Sequence, residues 1–378
     1  MAHIAPFYVM ELVARSRALE AQGRSIIHME VGEPDFSTAT PIITAGQRAL
    51  SEGRTRYTPA AGIPELRQAI ADFYQNRYGI TVPSERVVVT PGASGALQLA
   101  TGVLVNPGDR VLMADPGYPC NRHFVHLVEG EPIGIAVNPE DNYQLNAQLV
   151  KNHWQESTTA VFLASPANPT GTLISQETVA DILEVAESGR LIVDEIYHGL
   201  TYGDPATTAL ALSDQVFVVN SFSKYFGMTG WRLGWLVAPE EYVRDAEKLA
   251  QNLFLSPSTP AQYAALAAFS SEAMDIFEAR RQEFQMRRDF LLPALRELGF
   301  HIPVAPAGAF YLYADCSRFT DDSYQFAMSL LEKAGVAITP GLDFGHYKAN
   351  QHVRFAYTTS LENLKEGVER LQRALTKG

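Results

Sequence analysis

V-F-V-V-N-S-F-S-K-Y-F-G-M-T-G-W-R-L-G-W, residues 216–235, decides how the rest of the chain is read. Its apolar start, 216–219, has the composition of a buried strand. A polar turn over 220–223 follows and delivers a single lysine, Lys224; eight residues on, between two apolar neighbours, stands Arg232. A lysine placed where a buried strand gives out loses hydration, which lowers its pKa and exposes a nucleophilic amine. Such an amine can form a Schiff base with an aldehyde. A nearby guanidinium offers a planar fork to an anionic group on the same ligand. Taken alone, the spacing reads more simply as an exposed loop lysine and its solvated neighbour.

Working outward, the same pattern of apolar strand, loop and helix repeats. Residues 87–90 (V-V-V-T) lead into P-G-A-S-G-A-L and a helix through Leu104, and 110–114 into D-P-G-Y-P. Residues 160–164 lead into S-P-A-N-P-T-G, and 191–193 into D-E-I-Y-H. Val179, Ile182, Leu183 and Ala186 recur at helical spacing after Ser175, a suitable N-cap. Continuous apolar strands alternating with amphipathic helices predict an α/β fold with a mostly parallel sheet covered on both faces. Upstream, the spacing predicts a helix over 10–21, a strand over 25–31 ending in G-E-P-D-F, and a helix opened by Pro64 and closed by Gly79. From Ala261 to about Leu298 a long helical stretch is expected. G-A-F-Y-L-Y-A, V-A-I-T-P-G and H-V-R-F-A-Y-T then form a second, smaller α+β set. The division expected is 1–45 as an N-terminal segment packing with the small domain, 46–285 as the large domain and 286–378 as the small one.

Length supports that division, since 378 residues exceed one small core. Hydrophobic residues at 46% and charged residues at 19% give a globular balance. No apolar run approaches the roughly 18–20 residues a membrane crossing needs, and the first residues lack a signal-peptide core. Cys120 and Cys316 are too few for a disulfide framework. The expected location is therefore the cytoplasm. A net charge of −12 without a basic block excludes nucleic acid as a partner. No metal ligands are expected.

In open α/β sheets ligands sit beyond the carboxyl ends of the strands, and each strand here ends in a useful residue. The amides of Ala93 and Ser94, with the Ser94 hydroxyl, open a helix and suit a phosphate; an ordinary turn and cap reads as well. The turn matches neither the dinucleotide fingerprint nor the Walker loop. Tyr118 could lie on a flat heterocycle or pack as a loop aromatic. Asn168 could donate to a ring oxygen or simply form a turn before proline. Asp194 ends an apolar strand, where a carboxylate needs a cation; a protonated pyridine nitrogen or an internal partner would serve. Tyr197 follows it by one helical turn.

Together these residues make the chain resemble the fold type I, pyridoxal-phosphate-dependent class I/II aminotransferases over essentially its whole length. The motifs are G-E-P-D-F, Y-T-P-A-A-G-I-P-E-L-R, N-P-T-G, D-E-I-Y, S-F-S-K, G-W-R-L-G-W and R-F-A-Y, in that order. The resemblance implies that Lys224 forms the internal aldimine with pyridoxal 5'-phosphate and later moves the substrate's Cα proton. Asp194 keeps the ring nitrogen protonated, Tyr197 and Asn168 bond the ring hydroxyl oxygen, and Tyr118 stacks on the ring. Arg232, Ser221, Ser94 and the Ala93 amide grip the phosphate, which Tyr57 reaches across a homodimer interface. Arg354, helped by the Gly32 backbone and Asn168, binds the α-carboxylate. Arginine suits this task through its two parallel donors. The implied reaction is ping-pong amino-group transfer between an α-amino acid and an α-keto acid. Alternatives are an eliminating enzyme of the same fold, such as a C–S lyase, and the aminotransferase-like domain of a transcription regulator. A cofactor-free aldolase would need neither Asp194 nor the phosphate residues. Phe7, Tyr8 and Phe36 suit an apolar or aromatic substrate side chain, or the core. His198 and Trp231 read as packing.

Overall fold

The computed structural model describes residues 6–186 and 189–376. The first strand, β1 (Ile27–His28), is short. The next seven form the central sheet: β2 (Val87–Thr90), β3 (Arg110–Asp115), β4 (Glu131–Ala136), β5 (Thr158–Ala164), β6 (Arg190–Asp194), β7 (Phe217–Ser221) and β8 (Gly234–Val237). Their spatial order is 2-8-7-6-5-3-4. The run from β4 to β7 is parallel, whereas β8 lies antiparallel between β2 and β7. Successive side chains on a strand point to opposite faces, and each face carries its own core. Val218, Val193 and Val161 pack in one core; Val219, Ile192 and Ala160 pack in the other. Burial on both faces is why these strands are apolar throughout.

The first four helices are α1 (Tyr8–Glu20), α2 (Thr40–Ser51), α3 (Pro64–Tyr78) and α4 (Gly92–Leu104). Gly79 ends α3 at φ 70, the left-handed conformation that costs glycine little. α4 packs against β7 and β8, so its N-terminus is fixed at the sheet's carboxyl edge.

The last strands are β9 (Tyr311–Asp315), β10 (Val336–Ala337), β11 (Thr339–Pro340) and β12 (His352–Ala356). β11, β12 and β9 form an antiparallel sheet in that order, and β10 pairs in parallel with β1. The N-terminal segment is thereby stitched to the C-terminal part of the chain. The lines expected at 45 and 285 fall inside α2 and inside the helix Ser271–Glu297.

Several local expectations need correction. Of the strand expected over 25–31 only Ile27–His28 forms; Met29 still pairs through its backbone with Ala337 and Ala356, and after it side chains take the backbone carbonyls. The carbonyl of Glu30 accepts from Arg354, that of Val31 from Thr358 and that of Gly32 from Lys224. Asn220 and Ser221 belong to β7 rather than to a turn, because they pair with Trp235 and Gly234 of β8. The helical stretch after Ala261 breaks after residue 269, where Ser270 caps a fresh helix through the amide of Ala273. Tyr197 follows β6 in successive tight turns, not on a helix. β4 and β8 were not expected from sequence.

Candidate active site

A cavity of about 250 Å³ opens beyond the carboxyl ends of the central strands. Lys224 and Asp194 face each other's electrostatic influence within it. Lys224 lies just past β7, with its Nζ donating to the Gly32 carbonyl at 2.6 Å. Burial pulls its amine down to about 8, and the charge of Arg354 adds to the effect. Asp194, the last residue of β6, is buried and accepts from the Ile196 amide at 3.0 Å. Burial raises its carboxyl to about 6, against the pull of that amide and of Lys224. A buried carboxylate on a cavity wall has a standing need for a cation. The next residue, Glu195, turns to the opposite side of the strand. There its Oε1 accepts from the Thr208 hydroxyl and the Ala209 amide, and burial pushes the acid up to about 8. His198 packs beside it under the Tyr78 hydroxyl, and Trp231 donates to Thr38.

At one end of the cavity α4 begins without a side-chain cap, presenting Ala93 and Ser94 to the space. Arg232 arrives from the turn before β8 in a left-handed conformation, φ 52. Its Nη1 donates to the Thr229 carbonyl at 3.0 Å and lies 3.4 Å from the Ser223 hydroxyl, itself bonded to Ser221 at 3.0 Å. The close packing depends on two glycines. A Cβ on Gly92 would lie 2.7 Å from Arg232 Nη2, and one on Gly234 would strike the Gly92–Ala93 backbone. Helix amides, hydroxyls and a guanidinium at one corner suit a phosphate. Tyr57 is 82% exposed and lies outside the wall of this cavity.

At the other end Arg354 projects from β12, buried between the rings of Tyr311 and Phe344 at 4.2 and 4.8 Å. It donates to Asn168 Oδ1 at 2.8 Å and to the Glu30 carbonyl at 2.6 Å, while its buried Nε has no partner among the described residues. Tyr197 shares a 2.8 Å hydrogen bond with Tyr311. Gly32 must be glycine here, since a Cβ would fall 1.8 Å from the Tyr311 hydroxyl oxygen. Tyr118 also lines the cavity, its phenol pushed well up by burial.

Sequence reasoning passed over Ser223, Thr229, Tyr311, Phe344, Val9 and Met10, all on the cavity wall. The alternation S-F-S before Lys224 was a signal for Ser223; nothing local marks the others. Of the aromatic residues set near the entrance, Phe7 lines the cavity, whereas Tyr8 packs on Tyr324 and Phe36 on Phe284.

These features fit pyridoxal phosphate. One cavity holds an amine with a lowered pKa, a buried carboxylate without a full cation, and an uncapped helix start beside a guanidinium. The same cavity holds an arginine with one unpartnered donor. The donor set matches the aldehyde, the ring nitrogen, the phosphate and a substrate carboxylate in turn.

Comparison with known proteins agrees. Residues 24–371 match the family model described as aminotransferase class I and II. Over 374 residues the chain is 39% identical to the valine–pyruvate aminotransferase of Mycobacterium tuberculosis, covering 98% of this chain and 96% of that one. It is 35% identical over 376 residues to the (5-formylfuran-3-yl)methyl phosphate transaminase of Methanocaldococcus jannaschii, covering 98% and 97%. A crystal structure of an aminotransferase from Mycobacterium tuberculosis superposes with a TM-score of 0.96 at 39% identity, covering 100% of this chain and 98% of that one.

Proposed function

The chain belongs to the class I and II aminotransferases, and from that premise we propose how its residues divide the family's work. The enzyme depends on pyridoxal phosphate and moves the amino group of an α-amino acid to an α-keto acid. When bound, the cofactor supplies an aldehyde for an amine and a ring that draws off the electrons left on the substrate's Cα.

Lys224 is the amine that holds the cofactor and, once freed by substrate, carries the proton away from Cα. A pKa drawn down to about 8 leaves a useful fraction neutral at working pH, as a nucleophile and base require. Asp194 holds the proton on the ring nitrogen. Tyr197 and Asn168 donate to the ring hydroxyl oxygen, and Tyr118 lies against the ring face. Ser94, Ser221, Arg232 and the Ala93 amide take the phosphate. Arg354 orients the α-carboxylate with parallel donors, assisted by the Gly32 backbone. The observation that carries this reading is the convergence of Lys224, Asp194 and Arg354 on one cavity. Borohydride reduction of the loaded enzyme followed by peptide mapping tests it: the fixed cofactor belongs on Lys224, and a label on any other lysine overturns the assignment.

The substrate carries an apolar side chain. Phe7, Val9, Met10, Leu97, Ile196 and Phe344 line the cavity, and its cations are Lys224, Arg232 and Arg354, each already occupied by a task. Among the described residues of the single chain, none is left for a second carboxylate. The valine–pyruvate relative supports this choice. A half-reaction panel including leucine, alanine and aspartate, scored by loss of cofactor absorbance and by keto product formed without ammonia, decides it; a preference for aspartate refutes it.

The working unit is a homodimer, with Tyr57 completing the partner's phosphate site; its exposure and its place outside its own cavity support this. Sedimentation as a single chain with full cofactor affinity overturns it. The location is cytoplasmic, consistent with two free cysteines. No described helix is long and apolar enough to cross a membrane.

A further inference from the structure

The first helix starts without a cap of its own. Phe7 precedes α1 and offers no side-chain acceptor, yet the opening N–H groups of a helix need partners. They find them at the far end of the chain. The Tyr8 amide donates to Asp343 Oδ1 at 2.8 Å and the Val9 amide to Asp343 Oδ2 at 2.9 Å. A carboxylate spanning the first two amides also meets the positive end of the helix dipole.

Asp343 is buried, at the end of the short turn Gly341–Asp343 that follows β11. The strap that follows it is tied down. The Phe344 carbonyl accepts from the Gly117 amide at 2.8 Å. The carboxylate of Asp115, at the end of β3, accepts from the amides of His346 at 2.9 Å and Tyr347 at 3.3 Å. Gly345 lies so close that a Cβ there would fall 1.8 Å from Asp115 Oδ1. Asp343 is therefore a fixed point, and what it fixes is the turn of α1 that places Phe7, Val9 and Met10 on the cavity wall.

We infer that Asp343 is a positioning residue for substrate selection: its carboxylate caps α1 from outside and holds Phe7, Val9 and Met10 against the substrate's side chain. This rests on the reading that the site takes apolar amino acids. A large side chain touches the wall and feels its position. Alanine does not reach it, so its use depends on the residues that hold the cofactor and the α-carboxylate and not on this wall.

The test uses the full-length enzyme with cofactor, as wild type, Asp343→Ala and Asp343→Asn, turning over leucine and alanine. Asp343→Ala should raise KM for leucine about tenfold while kcat for leucine and both constants for alanine stay within about threefold, the pattern of a lost binding contact. Asp343→Asn keeps one acceptor and should fall between. In the cofactor-free protein, hydrogen exchange at the Tyr8 and Val9 amides should speed at least about tenfold in Asp343→Ala, with other helices unchanged. Equal losses on leucine and alanine, or faster exchange with an unchanged KM for leucine, overturn the inference. A wild-type enzyme that prefers aspartate to both amino acids defeats the apolar-substrate reading instead. The clasp is then judged on the amino acid the enzyme does accept, and an unchanged KM for it in Asp343→Ala overturns the clasp as well.

Discussion

The two ends of the cavity are built by different means. At the end proposed for the phosphate each group lies within a few residues of a central strand: Ala93 and Ser94 after β2, Ser221 and Ser223 around the end of β7, Arg232 just before β8. At the end proposed for the substrate carboxylate the groups come from Glu30, Gly32, Tyr311, Phe344 and Arg354, joined by contacts such as Arg354 to Glu30 across 324 positions. The first corner follows from sheet geometry. The second exists only once the N-terminal segment and the C-terminal strands have packed. Changes at the first should therefore disturb cofactor retention, and changes at the second substrate affinity.

Lys224 sits between the two and should show the largest effect. Lys224→Ala should lower kcat by at least about 10⁴-fold, since nucleophile and base disappear together, and should leave no borohydride-fixed cofactor by mass. Next comes Asp194→Asn, expected to cost about 10²–10³-fold in kcat and to loosen the cofactor, because the fixed charge beside the ring is lost. Near-normal turnover there would end its assigned role. A paired experiment then separates the corners. Arg354→Lys should raise KM for the amino acid by about 10–100-fold with cofactor affinity intact, whereas Arg232→Lys should weaken cofactor binding with KM little changed. If both variants lose the same constant, the division between the ends is wrong.

A smaller effect couples them. Covalent capture of pyridoxal phosphate by cofactor-free protein should rise through about pH 8, where burial and Arg354 hold the Lys224 amine. Arg354→Ala removes a positive neighbour and should move that midpoint upward. The least effect is on stability. His28, between Glu30 and Glu20, is raised to about 9, chiefly by its hydrogen bond to Glu30. A folded pKa above the unfolded 6.5 means the pair's contribution is fully present below about pH 6.5 and fades as pH climbs through about 9. Glu30→Gln should flatten that part of the thermal-stability curve; an unchanged slope would discount the pair.

The same contrast explains what could be read in advance. Lys224 and Asp194 stand out because each is a polar residue set at the end of an apolar strand, a conflict that short sequence displays, and Arg232 stands out as a guanidinium between two apolar neighbours eight residues on. The parallel sheet was visible for the same reason. Tyr311 and Phe344 were not, since G-A-F-Y-L-Y-A reads only as a strand and G-L-D-F-G only as a turn. Their meaning comes from Arg354 lying between them. β8 escapes sequence reading because G-W-L-V opens on a glycine and its place depends on neighbours to either side. The strand expected over 25–31 stops short because the carbonyls of Glu30 and Val31 are claimed by Arg354 and Thr358, neither of which is local.

The pleat at the end of β6 carries a further lesson. Asp194 and Glu195 are consecutive acids of nearly the same chemistry, yet one lines the cavity and the other is sealed behind Thr208 and Ala209. Asp194 is the last residue of β6 and Glu195 the first beyond it, so the register of the strand end decides which acid faces the cavity. Slipping β6 by a single residue against its neighbours would exchange their sides. Inserting or deleting one amino acid before Asp194 should therefore silence the enzyme even where the chain still folds, while point changes at the outer rim of the sheet pass unnoticed.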